Sequence, residues 1–316
     1  MRKFEEIIRD WLLPGAIVFG ISLYLFYRYT SFLHPWGHFL GVAASEGQRL
    51  VIFTLLFFQF VKVSPHDLGI VRWHYKALLF QILSFSLLAV LTVFTKGDGK
   101  MLLECAMICL ICPTASAAGV ITERLGGKIN ENVSYLVLIN LAATFLIPMV
   151  IPLIRPSDEL SFWAYVGHLA LKVFPMLILP CALAWLIRYT TPRLQRKLMR
   201  LSRYAFYVWG VGLTLAMVMS TRALLLSRLS AGAIAMIVVV SMAACFGQFF
   251  LGRKSEKDRV ESLTAGQAMG QKNTGFMIWL GYNYLTPVTS VAGGLYAIWQ
   301  NLFNSWELYR KEHPKS

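Results

Sequence analysis

The chain has 316 residues, 57% of them hydrophobic and 15% charged, at a mean hydropathy of +0.57. No water-soluble domain of this length hides so much apolar surface, so the ordinary globular classes are excluded and a polytopic membrane protein is implied. The formal net charge of +14 would point a soluble chain towards nucleic acid. Here the basic residues fall in short loops between apolar runs, which speaks for membrane orientation and against a nucleic-acid partner.

Windows near 20 residues draw about ten spans. Ahead of them, residues 1–10 mix acids and bases, and no small-residue cleavage site follows the first apolar run, so this segment is expected to be retained. The first span covers 12–27, and a wet loop with His34, Pro35 and His38 follows. Further spans are expected at 50–63, 75–94, 101–121 and 133–154, the last carrying Pro148 and Pro152. After a polar link at 155–159, residues 162–171 read as an interfacial helix leading into a span at 173–187. The remaining spans fall at 205–219, 231–250, 260–282 and 285–306. With the N-terminus inside, the cytoplasmic loops and both termini (Arg310, Lys311 and Lys315 at the C-terminal end) hold roughly 21 Lys and Arg, and the opposite loops about 7. The expected placement is an inner or plasma membrane, multi-pass, with both termini cytoplasmic.

The cysteines Cys105, Cys109, Cys112, Cys181 and Cys245 all lie in apolar spans. Three have helical spacing, but no histidine or second thiol pair joins them, so they read as packed small side chains, with no metal site. His34 and His38 also lack metal-like companions.

Two stretches break the apolar pattern. Residues 112–119 read Cys-Pro-Thr-Ala-Ser-Ala-Ala-Gly, and 270–275 read Gly-Gln-Lys-Asn-Thr-Gly. Uncompensated polar groups in hydrocarbon cost several kcal/mol each, so a lipid-facing helix would not choose them. Ten spans divide as five plus five, 1–155 and 156–316, and an odd number per half requires the second half to enter the membrane inverted. The breaks then fall in the fourth span of each half, as in transporters built from inverted repeats with broken helices at the binding site.

At these stretches the chain resembles the bile acid:sodium symporter family. Residues 112–122 are similar to that family's Cys-Pro-Gly-Gly-Thr-Ala-Ser-Asn-Val-Ile-Thr, and Lys272-Asn273-Thr274-Gly275 to the tail of its Glu-Val-Gly-Met-Gln-Asn-Ser-Gly. The last span, from Pro287 through Trp299, Gln300 and Asn301, is similar to its Pro-Gly-Ala-Leu-Phe-Ser-Val-Trp-His-Asn. The resemblance implies an all-α fold of ten helices in a panel and a core, with the broken helices crossing in the core. It also implies sodium-driven uptake of organic anions.

The departures bear on the coupling ion. By the resemblance, the family's cation-binding Ser-Asn pair becomes Ala118 and Gly119, its Glu becomes Ala268, and its Gln becomes Lys272, with Gln271 adjoining. Sodium wants several oxygen ligands, and most of those side chains are gone. Lys272 therefore reads as a tethered cation in place of the ion. The alternative, snorkelling to an interface, must span about ten residues, roughly 15 Å. Asn140 aligns near a sodium-holding threonine and is expected to reach the Lys272 neighbourhood or to pack helices. Gln81 is a weaker candidate for a cation-site glutamine. Glu104 and Gln248 read as interfacial. A sodium-coupled symporter remains the alternative, as do proton coupling and facilitation.

Each break frees backbone N–H groups at a half-helix N-terminus, which favour a carboxylate or sulfonate. Thr114, Ser116, Asn273 and Thr274 add donors there, and by resemblance Ser116 and Asn273 match positions near bound substrate. The same hydroxyls and amides can equally serve to satisfy the freed backbone. No catalytic constellation is visible. An intramembrane enzyme would need a nucleophile with a base, paired carboxylates or a metal set, and Ser116 with Lys272 is the nearest imitation. A receptor would need a soluble signalling domain. The reading is a transporter embedded in lipid, with a monomer favoured and the oligomeric state left open, carrying a small organic anion with no cofactor other than a possible sodium ion.

Overall fold

A computed structural model describes residues 2–227 and 229–313, the side chains of 2–14 and 312 excepted. The chain is all α-helical, and among the described residues no strand occurs beyond one isolated bridge. In chain order the helices are α1 (Arg2–Tyr29), α2 (Gly37–Lys62), α3 (Arg72–Phe94), α4 (Gly97–Ile111), α5 (Ala118–Leu125), α6 (Ile129–Ile154) and α7 (Phe162–Leu177). They continue as α8 (Leu179–Thr190), α9 (Pro192–Leu201), α10 (Ala205–Leu226), α11 (Ala231–Lys254), α12 (Arg259–Gly270), α13 (Thr274–Tyr284) and α14 (Thr289–Glu312).

Local chemistry explains several boundaries. Ser230 and Asp258 cap α11 and α12 by accepting hydrogen bonds from Ala233 N (3.1 Å), and from Val260 N (3.0 Å) and Glu261 N (2.9 Å). Helix α5 stops at Gly126, whose φ of +90° is the left-handed cap that glycine adopts without strain. Proline at 113 lacks an N–H and holds Cys112 in extended backbone, so α4 ends there.

Among the described residues, five helical stretches are long and apolar enough to cross a membrane: Ser31–Lys62, Arg72–Phe94, Ile129–Ile154, Pro192–Leu226 and Ala231–Lys254. The α7–α8 pair, bent by 43°, makes a sixth. The outer face of α3 shows why water is a poor surrounding, since Leu79, Leu83, Leu87, Val90 and Phe94 form an exposed stripe at helical spacing. The architecture is that of an all-α membrane protein. The half-helices α4, α5, α12 and α13 are each too short to span ~30 Å alone at ~1.5 Å per residue.

Helices α1, α10, α2 and α8 pack in sequence, while α3, α4, α6, α11, α12 and α14 pack around a larger core. The two groups meet where α10 packs on α14; α7 bridges α6 to α2 and α8, and α13 bridges α10 and α2 to α14. Three expectations are corrected. Helix α2 begins at Gly37, well before 50, and carries the polar Glu46 and Arg49, which pair with one another on it. Residues 162–171 belong to one helix reaching Leu177. The basic segment expected as a loop near 193–200 is the amphipathic helix α9. Lys315, counted with the C-terminal charges, lies outside the described residues.

Candidate functional site

The two breaks, 112–117 and 271–273, touch through their main chains. Ala115 N donates to Gln271 O at 2.9 Å, Asn273 N donates to Pro113 O at 2.8 Å, and Thr114 and Lys272 form an antiparallel bridge. A two-rung scrap of sheet thus sits inside a helical protein. It satisfies groups that the interrupted helices would otherwise leave unpaired. Glycine is required alongside for space, since a Cβ on Gly270 would sit 2.2 Å from the Phe249 ring.

Lys272 is fully buried and reaches no interface. Its Nζ donates to Leu110 O at 3.3 Å, in the last turn of α4, and its backbone N donates to Gln300 Oε1 at 2.8 Å. No carboxylate pairs with it among the described residues. The ammonium lies beside α4's C-terminal end, and its own backbone follows the end of α12, where helix dipoles present partial negative charge.

The other predicted residues divide between this crossing and elsewhere. Thr114 is buried and its Oγ1 donates to Ala268 O at 2.7 Å, tying the first break to α12. Asn273 caps α13 by accepting from Phe276 N at 3.1 Å, and Thr274 N donates to Lys272 O at 2.9 Å. Ser116 is half-buried in the first break. Ala118 and Gly119 are buried at the start of α5, where a Cβ on Gly119 would meet Ile129 and the Gln59 amide. Gln271 donates to Gln267, which donates to Glu307, which also pairs with Arg253, making a buried polar chain from the crossing to the end of α14. Asn140 does not join the Lys272 neighbourhood. It lines a cavity of about 210 Å³ with Phe60, Leu177, Ile178 and Trp185, and its amide has no hydrogen-bond partner.

Sequence reasoning missed how deeply other polar groups sit. Gln248, read as interfacial, is buried. It accepts from Gln81 (3.0 Å) and donates to Cys109 O (3.0 Å) and Tyr296 (3.1 Å). Tyr135 donates to Gln81 at 2.5 Å and Tyr296 to Gly270 O at 2.8 Å, so this network reaches the ends of both α4 and α12. Glu104, also read as interfacial, is buried against Arg155 (2.7 Å) and accepts from Thr286 N (3.0 Å) and Oγ1 (2.7 Å). The available signal for the α12–α14 chain was the helical spacing of Thr264, Gln267 and Gln271 opposite Gln300, Asn304 and Glu307.

No protein-family model matches the chain, and no curated protein matches it. The chemistry must be read from the site itself. Among the described residues no cluster of three His, Cys, Asp or Glu is placed to hold a metal ion. What the crossing offers is a buried lysine with no acidic partner among the described residues, held where two interrupted helices meet.

Proposed function

We propose that the chain is a secondary transporter of a small organic anion, a divergent relative of the bile acid:sodium symporters. In this reading it has ten spans in two inverted five-helix repeats, 1–155 and 156–316, arranged as a panel and a core. The observation that carries the proposal is the main-chain junction of the two breaks with Lys272 buried at its centre. Broken helices meeting at depth are how transporters place ion and substrate sites away from lipid. An ammonium at that junction repels sodium by several kcal/mol at close range in low dielectric. It supplies the positive charge itself, so transport is sodium-independent.

Thr114, with its hydroxyl committed to Ala268, acts in this scheme as a brace for the crossing. Ser116, Asn273 and Thr274 remain as donors towards the substrate. The test is uptake into proteoliposomes of a panel of radiolabelled carboxylates and sulfonates, under sodium, potassium and proton gradients compared in parallel. Anion uptake without a sodium requirement is expected. Strict sodium dependence would refute the tethered-cation reading, and no uptake of any anion would refute the transport reading.

A further inference from the structure

The contact between α2 and α13 holds three buried polar atoms without partners: Gln48 Oε1, Arg49 Nε and Trp279 Nε1. A buried donor or acceptor strongly favours a hydrogen-bond partner, a charged group most of all, so three such atoms in one seam mark a place suited to a polar group. They are neighbours. The Arg49 guanidinium lies 5.9 Å from the centre of the Trp279 ring. The Gln48 amide nitrogen is close enough to Gly275 that a Cβ there would approach it to 2.5 Å. Gln48 thus abuts the start of α13 beside Thr274, and Trp279 follows one turn after Gly275 on the same face.

The donor inventory defines the ligand. Arginine and the indole of tryptophan can only donate, and arginine carries permanent positive charge. Arg49 uses Nη1 on Glu46, whose side chain is half exposed, and leaves its Nε edge free. Two donors beside one positive charge match a carboxylate. Gln48 adds an acceptor, which a carboxylate cannot use and a hydroxyl can. The walls are apolar and aromatic, with Ile52 beside Gly275, and Phe276 and Tyr284 against the Trp279 ring. We infer that the α2–α13 seam, through Arg49, Trp279 and Gln48, binds the head group of a small hydroxy-carboxylic acid with an apolar body. The seam is closed in this conformation, and ligand enters as α2 parts from α13.

The inference deepens the transport reading by naming where the anion is recognised, and it rests on that reading only for the parting of the helices. It is tested by calorimetric titration of the purified protein in detergent with mandelate, phenylacetate and phenylethanol. Mandelate is expected to bind more tightly than phenylacetate, and phenylethanol not at all. Arg49→Gln weakens both acids about tenfold or more, and Trp279→Phe by roughly threefold to tenfold. Gln48→Leu abolishes the advantage of mandelate alone. Arg193→Gln, on the basic helix α9, changes nothing and controls for general charge. Size-exclusion profiles verify each variant's fold.

Unchanged affinities in Arg49→Gln and Trp279→Phe, or no acid binding by the wild-type protein, overturn the inference. Uptake of either acid into proteoliposomes that survives Arg49→Gln sinks this site and leaves the transport reading standing. Arg49-dependent binding without any vesicle uptake does the reverse.

Discussion

Replacing Lys272 by methionine keeps most of the side chain's length and removes its charge. Three terms set the outcome. Burying an ammonium costs several kcal/mol even after relaxation. Against this, the hydrogen bond to Leu110 O returns about 1.5–3 kcal/mol as a charge-assisted bond. The ends of α4 and α12 contribute up to about 2 kcal/mol more. The terms nearly cancel, so Lys272→Met is expected to change the unfolding free energy by no more than about 2 kcal/mol, a midpoint shift of a few degrees. Uptake per folded molecule, however, is expected to collapse, because the positive charge at the crossing is gone. The assay pairs thermal unfolding in detergent, followed by tryptophan fluorescence, with proteoliposome uptake normalised to monodisperse protein. A midpoint drop beyond ~10 °C would show Lys272 to be a structural tie whose loss the fold cannot bear. Undiminished uptake would show that its charge has no part in transport.

Introducing oxygen ligands with Ala268→Glu together with Lys272→Gln should create sodium dependence, read as a sodium-specific rise in thermal midpoint that potassium does not reproduce. Gly270→Ala places a methyl group against the Phe249 ring and should cost about 1–3 kcal/mol, measured as lost thermal stability. Glu104→Gln strips the charge from a buried acid that serves Arg155 and Thr286. Because Arg155 is partly exposed and can rehydrate, the expected loss is about 1–3 kcal/mol by thermal unfolding. Lys128, in the link between α5 and α6, donates to Glu131 (2.7 Å) and Glu261 (2.9 Å), and these hydrogen bonds push its pKa well above the usual lysine range. A raised folded pKa contributes stability that is complete below the unfolded value of about 10.4 and is lost as pH climbs through the folded one. The midpoint difference between wild type and Lys128→Gln should therefore hold from about pH 7 to 10 and shrink at higher pH.

Much of this was legible in residue order. A proline followed by small hydroxylated residues, and a Gly-Gln-Lys-Asn-Thr-Gly run between apolar flanks, marked both breaks to within a few positions. Both are local signals, set by what helical backbone tolerates. The burial of Lys272 followed from its distance to either end of its apolar run. Partners distant along the chain were not legible. Glu104 looked like an acid at a helix end because nothing nearby reveals Arg155 or Thr286. Gln248 looked interfacial because its partners sit on α3, α4 and α14. Helix α9 was hidden by its own basic residues, which read as a loop when counted and as a face when wound at 3.6 residues per turn. Gln48 and Arg49 were passed over because α2 was taken to begin after them.

Because amide and carbonyl groups stitch residues 113–115 to 271–273, those main-chain bonds do not themselves depend on which side chains occupy the positions. Side chains there can change while the main-chain stitching stays in place. The vulnerable change is one that deletes a main-chain donor, so proline at 115 or 273 is the substitution this architecture has least room to absorb.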